Sequence, residues 1–96
     1  MKTIQKKIED KIESIANDLE YSTYQQSDYS NTGIIFITDD MLNVYFSIHY
    51  NFQTSYFDME ISDANNKLMK RGNYNYTEIT DFLGLLSEIL DKHRND

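Results

Sequence analysis

Between Leu42 and Ile61 the sequence alternates so regularly that two strands and their faces follow from it. Leu42, Val44, Phe46, Ile48 and Tyr50 alternate with Asn43, Tyr45, Ser47 and His49; Phe57, Met59 and Ile61 alternate with Tyr56, Asp58 and Glu60. Successive side chains on a strand point to opposite faces, so each run predicts a half-buried strand. A two-residue loop at Asn51-Phe52 pairs Ile48 with Ser55, Phe46 with Phe57, Val44 with Met59 and Leu42 with Ile61 on the inner face. It pairs Ser47 with Tyr56, Tyr45 with Asp58 and Asn43 with Glu60 on the outer face. A one-residue slip would exchange the faces, so the parity of the register is strongly specified.

The remaining segments fit around this pair. Ile4, Ile8, Ile12, Ile15 and Leu19 recur at helical spacing and predict an amphipathic helix over about 3–20. Its lysines crowd the N-terminal end and its acids the C-terminal end, against the helix dipole, so packing of the isoleucine stripe must hold it. Ser30-Asn31-Thr32-Gly33 reads as a turn leading into Ile34-Ile35-Phe36-Ile37, a strand apolar on both faces. Asp39-Asp40 makes the next turn, and Ala64-Asn65-Asn66 another, with asparagine suited to left-handed backbone. Lys67 to Arg71 then forms a short basic edge strand, which discourages edge-to-edge pairing. A second helix, about 76–94, carries Ile79, Phe82, Leu83, Leu86, Ile89 and Leu90 on its buried face. Asn75 with Glu78 matches a capping box, and Gly84 suggests close approach of this helix to the sheet. The expected architecture is α+β: one domain over residues 1–96, an antiparallel meander of four to five strands flanked by terminal helices.

Composition excludes several function classes. There is no cysteine, hence no disulfide, thiol nucleophile or thiolate metal site. Serine lies in no nucleophile elbow, and three scattered glycines make no phosphate cradle. His49 reads as a structural histidine on a polar strand face, and His93 as compensation for a helix C-terminus. Asp63-x-Asn65-x-Lys67 fails as a calcium loop, because Leu68 and Tyr74 stand where glycine and glutamate are required. No metal, cofactor or catalytic residue is expected, and the chain is read as a non-enzyme. No apolar run is long enough to span a membrane and no secretion signal is evident, so a cytoplasmic location is expected.

Charge supplies the functional reading. The net charge is −7, and no lysine or arginine occurs from Ile12 to Asn66, an interval holding nine acids. Such a chain repels nucleic acid and attracts basic protein surfaces. Asp58 and Glu60, on one strand face beside Tyr45 and Tyr56, are the expected contact residues, followed by Asp39 and Asp40 in a projecting turn. Tyrosines ringed by acids suit an interface. If Ile35 and Ile37 point inward, Ile34 and Phe36 join that outer face, which a second copy of the chain would otherwise cover.

The expected function is therefore a small acidic inhibitor that occupies a basic surface on a nucleic-acid-binding protein or nuclease. An immunity protein or assembly chaperone that recognises one client by shape is the alternative. In character, though through no residue motif, the first reading resembles phage-encoded inhibitors of host defence such as anti-CRISPR proteins. Phe, Tyr, Met, Ile, Asn and Lys supply 44 of the 96 residues and Gly, Ala, Arg and Pro only 7. That codon bias points to an AT-rich bacterium or its phage.

Overall fold

The computed structural model describes residues 2–27, 31–41 and 43–95. Helix α1 (Lys2–Asp18) is followed by strands β1 (Ser22–Ser27), β2 (Thr32–Thr38), β3 (Val44–Phe52), β4 (Phe57–Asp63) and β5 (Leu68–Tyr74), and then helix α2 (Ile79–Asn95). The five strands form one antiparallel sheet in chain order, so β1 and β5 are its edges. This is the α+β meander expected, with five strands. Asp28 of the acidic interval, Ser30 of the expected turn and Leu42 of the expected core lie outside the described residues, as does Tyr29.

Both helices cover the same face of the sheet. Ile8, Ile12 and Ala16 of α1 and Ile79, Phe82, Leu83, Leu86 and Leu90 of α2 join the inward residues of β2, β3 and β4 in one core. They also run parallel. Ile4 and Ile8 lie beside Ile79 and Leu83 near the helix starts. At the far ends Arg94 pairs with Glu20, and the Tyr21 hydroxyl donates to the Leu90 carbonyl at 3.1 Å. Tyr21 Oη also lies 2.7 Å from His93 Nδ1, so both contacts are met at once when His93 carries a proton on that nitrogen. Burial is the main cause that raises the Tyr21 hydroxyl pKa.

Local chemistry explains the helix ends. α1 stops in a Schellman motif: Tyr21 N donates to Ala16 O at 2.9 Å and Glu20 N to Asn17 O at 3.0 Å. Glu20 takes the left-handed position, φ 67°, that glycine usually fills. At α2, Asn75 Oδ1 accepts from Thr77 N and Glu78 N, and Asn75 N donates to Glu78 Oε1 at 3.1 Å, which completes the capping box. The expected start at Tyr76 becomes a turn over 76–78, with regular helix from Ile79. Gly84 does not approach the sheet: it is exposed, and a methyl group there would meet nothing within 4 Å.

The central hairpin keeps its expected parity but not its expected register. Phe52 pairs with Phe57, Tyr50 with Met59 and Ile48 with Ile61. The loop is Gln53 to Tyr56, closed by Gln53 N donating to Tyr56 O at 2.8 Å. Ile48 was expected opposite Ser55; its partner lies six residues further on, an even shift that leaves every face unchanged. Lengthening both strands buries Phe52 and Phe57, whose rings meet edge to face at 5.0 Å. The shorter loop would have set Ser55 in the core instead.

The β2–β3 and β4–β5 hairpins share one device. Asp39 Oδ1 accepts from Met41 N and Asn43 N; Asp63 Oδ1 accepts from Asn65 N and Lys67 N. In each, the aspartate N–H donates to the carbonyl four residues on. Each ladder then slips by one residue, leaving Tyr45 unpaired in β3 and Met69 in β5. The slip at Tyr45 overturns two expectations. Val44, assigned to the core, is exposed on the open face, and Tyr45, assigned to the open face, turns toward the helices.

Candidate functional site

The face of the sheet turned away from the helices is left uncovered by them, and it divides into two parts. One is apolar. With Ile35 and Ile37 buried, Ile34 and Phe36 point outward and are only half-buried. Tyr24 of β1 stacks on Phe36 with ring centroids 6.1 Å apart. Tyr24, Phe36, Thr38 and Val44 line a shallow concavity of about 280 Å³. Thr38 is 2% exposed and its hydroxyl has no hydrogen-bond partner among the described residues. A buried unpaired hydroxyl costs stability, and a ligand that offered it a partner would recover that cost.

The second part is polar. His49 lies opposite Glu60, and Asn51 opposite Asp58. With Tyr50 they line a dent of about 110 Å³. Asp58 and Glu60 are half-buried and share the open face, as the alternation implied. The edge strand brings Arg71 opposite Glu60, with Nε 3.6 Å from Oε2. The lysine- and arginine-free interval is therefore not free of cations in space: one of its two best-placed acids has an arginine beside it. The pair is well exposed, so its net contribution to stability is small.

The other expected contact residues fall elsewhere. Tyr45 packs its ring 5.0 Å from His93 and 5.9 Å from Tyr21, and its hydroxyl donates to Asp39 Oδ2 at 3.4 Å. It belongs to the helix side, because the slip after Asp39 reverses the alternation there. Tyr56 is exposed in the β3–β4 loop, two residues before Asp58. Asp39 is engaged by its own turn, and hydrogen bonds, first of all from the Asn43 side chain, hold its pKa below the ordinary carboxylate value. Asp40 is exposed and accepts from Ser22 Oγ at 3.3 Å. Both sit in the β2–β3 turn, at the opposite end of β3 from Asn51 and its partner Asp58. The six residues thus resolve into an open-face pair with Tyr56 beside it, a turn pair and one aromatic on the helix side.

Tyr24, Thr38 and Val44 were not foreseen on this surface. Ser22–Ser27 reads Ser-Thr-Tyr-Gln-Gln-Ser, with no apolar alternation to show which way Tyr24 points. Among the described residues no group of three His, Asp or Glu side chains is placed to hold a metal ion. Among them, too, no helix is long and apolar enough to cross a membrane. No family model, curated protein or solved structure matches the chain.

Proposed function

We propose that this chain is a non-enzymatic binding protein whose open sheet face docks onto a basic surface of a protein partner. The observation that carries the reading is the composition of that face: an apolar corner at Tyr24, Phe36 and Val44 beside the carboxylates of Asp58 and Glu60, uncovered by either helix. Apolar anchors supply contact area, and flanking charge speeds and orients encounter. A nucleic-acid-binding protein or nuclease is the class of partner whose surface carries the matching charge. The codon bias is compatible with a phage-encoded inhibitor of such a protein acting in a bacterial cytoplasm.

The apolar corner also favours a second reading, a client recognised by shape, as by an immunity protein or chaperone. Salt separates the two. A charge-led complex weakens steeply with added salt and competes with DNA for the partner; a shape-led complex keeps most of its affinity. The test is affinity capture from a bacterial lysate with the wild-type chain, Asp58→Lys/Glu60→Lys and Phe36→Glu, each first shown to be folded by circular dichroism. The first reading expects a basic protein retained by wild type, lost with the double reversal and displaced by DNA. The same proteins retained by all three chains would refute the open face as the interface.

A further inference from the structure

The two edges of the sheet are built differently. β5 has Lys70 and Arg71 in the strand, Lys67 just before it and a slip in its ladder at Ile61/Ser62. Charges and irregularities of this kind are how edge strands avoid pairing with another chain. β1 has none of them. Its six residues, Ser22 to Ser27, include no charge, proline or glycine, and they pair with β2 without a slip. α1 touches β1 but leaves Gln25, opposite the inward Ile35, exposed.

We infer that β1 is a self-pairing edge, and that two copies of the chain join through it as an antiparallel two-fold dimer with one continuous ten-stranded sheet. An antiparallel edge is self-complementary under a two-fold axis, since each copy offers the other the same donors and acceptors. To keep both helical layers on one side, residues that share a face must be paired. Setting Tyr24 on the axis does this, with Ser22 opposite Gln26 of the other copy. Tyr24 is 55% exposed and already stacks on Phe36. Its counterpart would extend that stack across the axis, from Phe36 to Phe36 of the second copy. No charge on β1 opposes a like charge. The inference does not depend on what the open face binds.

A five-residue ladder, Ser22 to Gln26 of each copy, with one aromatic pair falls at the small end of specific interfaces, so the dimer is weak and concentration-dependent. Each copy carries −7, so long-range repulsion opposes association and salt relieves it. This is the opposite sign to binding a basic partner, which keeps the two readings experimentally separate. The experiment is sedimentation velocity on the purified chain from about 10 to about 500 µM, a span suited to a weak interface, at about 0.05 and about 0.3 M salt, which straddle strong and weak screening. Amide exchange across 22–27 is measured on the same samples. The expected result is a dimer that grows with concentration, strengthens several-fold with salt and slows exchange in β1. Gln25→Lys, which places a charge on the edge but toward the helix side, should abolish it; Tyr24→Lys should do the same. Val44→Lys, on the open face two strands in from the edge though in the same concavity as Tyr24, should not. A chain monomeric throughout, or a dimer abolished by Val44→Lys and untouched by Gln25→Lys, would overturn the inference.

Discussion

Removing one oxygen from Tyr50 tests how the helical layer is locked to the sheet. Glu9 of α1 is 6% exposed, and the Tyr50 hydroxyl donates to its Oε2 at 2.5 Å. Gln5 Nε2 lies at 3.4 Å from the same oxygen. Tyr50→Phe leaves the ring in place over Gly33 and over Phe52, 5.1 Å away, so apolar packing is unchanged. What is lost is a short bond to a buried carboxylate. Hydrogen bonds to charged groups contribute about 1.5–3 kcal/mol, and the group left behind has little water to turn to, so the expected loss is about 2–3 kcal/mol. Gln25, which donates to the same hydroxyl at 3.3 Å, is exposed and regains water at little cost. Glu9→Leu should cost a similar amount, because the Tyr50 O–H loses its Glu9 acceptor while still accepting from Gln25. The double variant removes both polar groups and should cost clearly less than the sum, a coupling of about 2 kcal/mol. Urea unfolding at constant m-value reads these differences. A Tyr50→Phe protein within about 0.5 kcal/mol of wild type, or additive single losses, would show that this contact does not anchor α1.

Two further outcomes are expected. Gly84→Ala fills open space on the exposed side of α2 and should stabilise the chain by about 1 kcal/mol in urea unfolding; a destabilised variant would mean that the glycine has a packing role after all. Because hydrogen bonding lowers the Asp39 pKa below the ordinary carboxylate value, its carboxylate adds stability above the unfolded-state pKa and loses it as pH falls through the lower folded value. Asp39→Asn should therefore flatten the fall in thermal midpoint below about pH 4; an unchanged acid limb would remove Asp39 from that account.

What the sequence made legible is what the core dictates. The isoleucines of α1, the leucine stripe of α2 and the inner faces of β3 and β4 each repeat with the period of their element, because one face must leave water. The capping box at Asn75 is equally local: three residues decide it. What stayed hidden depends on contacts distant in sequence or on an interrupted period. The β3–β4 loop length followed from the gain in burying Phe52 against Phe57, a choice between two registers of the same parity. The reversal at Tyr45 followed from a backbone slip after Asp39, which an alternation count reads straight through. The same slip recurs after Asp63, so an aspartate five residues before a strand is the signal that would have warned of both.

The candidate interface was only half legible for a related reason. Acidity was read as a surface property, yet the fold spends much of it locally. Asp39 and Asp63 hold turns, Glu20 pairs with Arg94, Glu60 faces Arg71, and Glu9 is buried under Tyr50. Turn and pairing roles account for these carboxylates without any partner. The open-face features that no other described residue accounts for are different ones: the exposed stack of Tyr24 on Phe36, the outward Val44 and the Thr38 hydroxyl beneath them, unpaired among the described residues. A monomer gains nothing from holding large apolar groups in water around a buried unpaired donor, so this corner is where a partner has most to contribute. On the proposed docking, the net charge of −7 would steer a basic partner and the apolar corner would supply the contact that retains it.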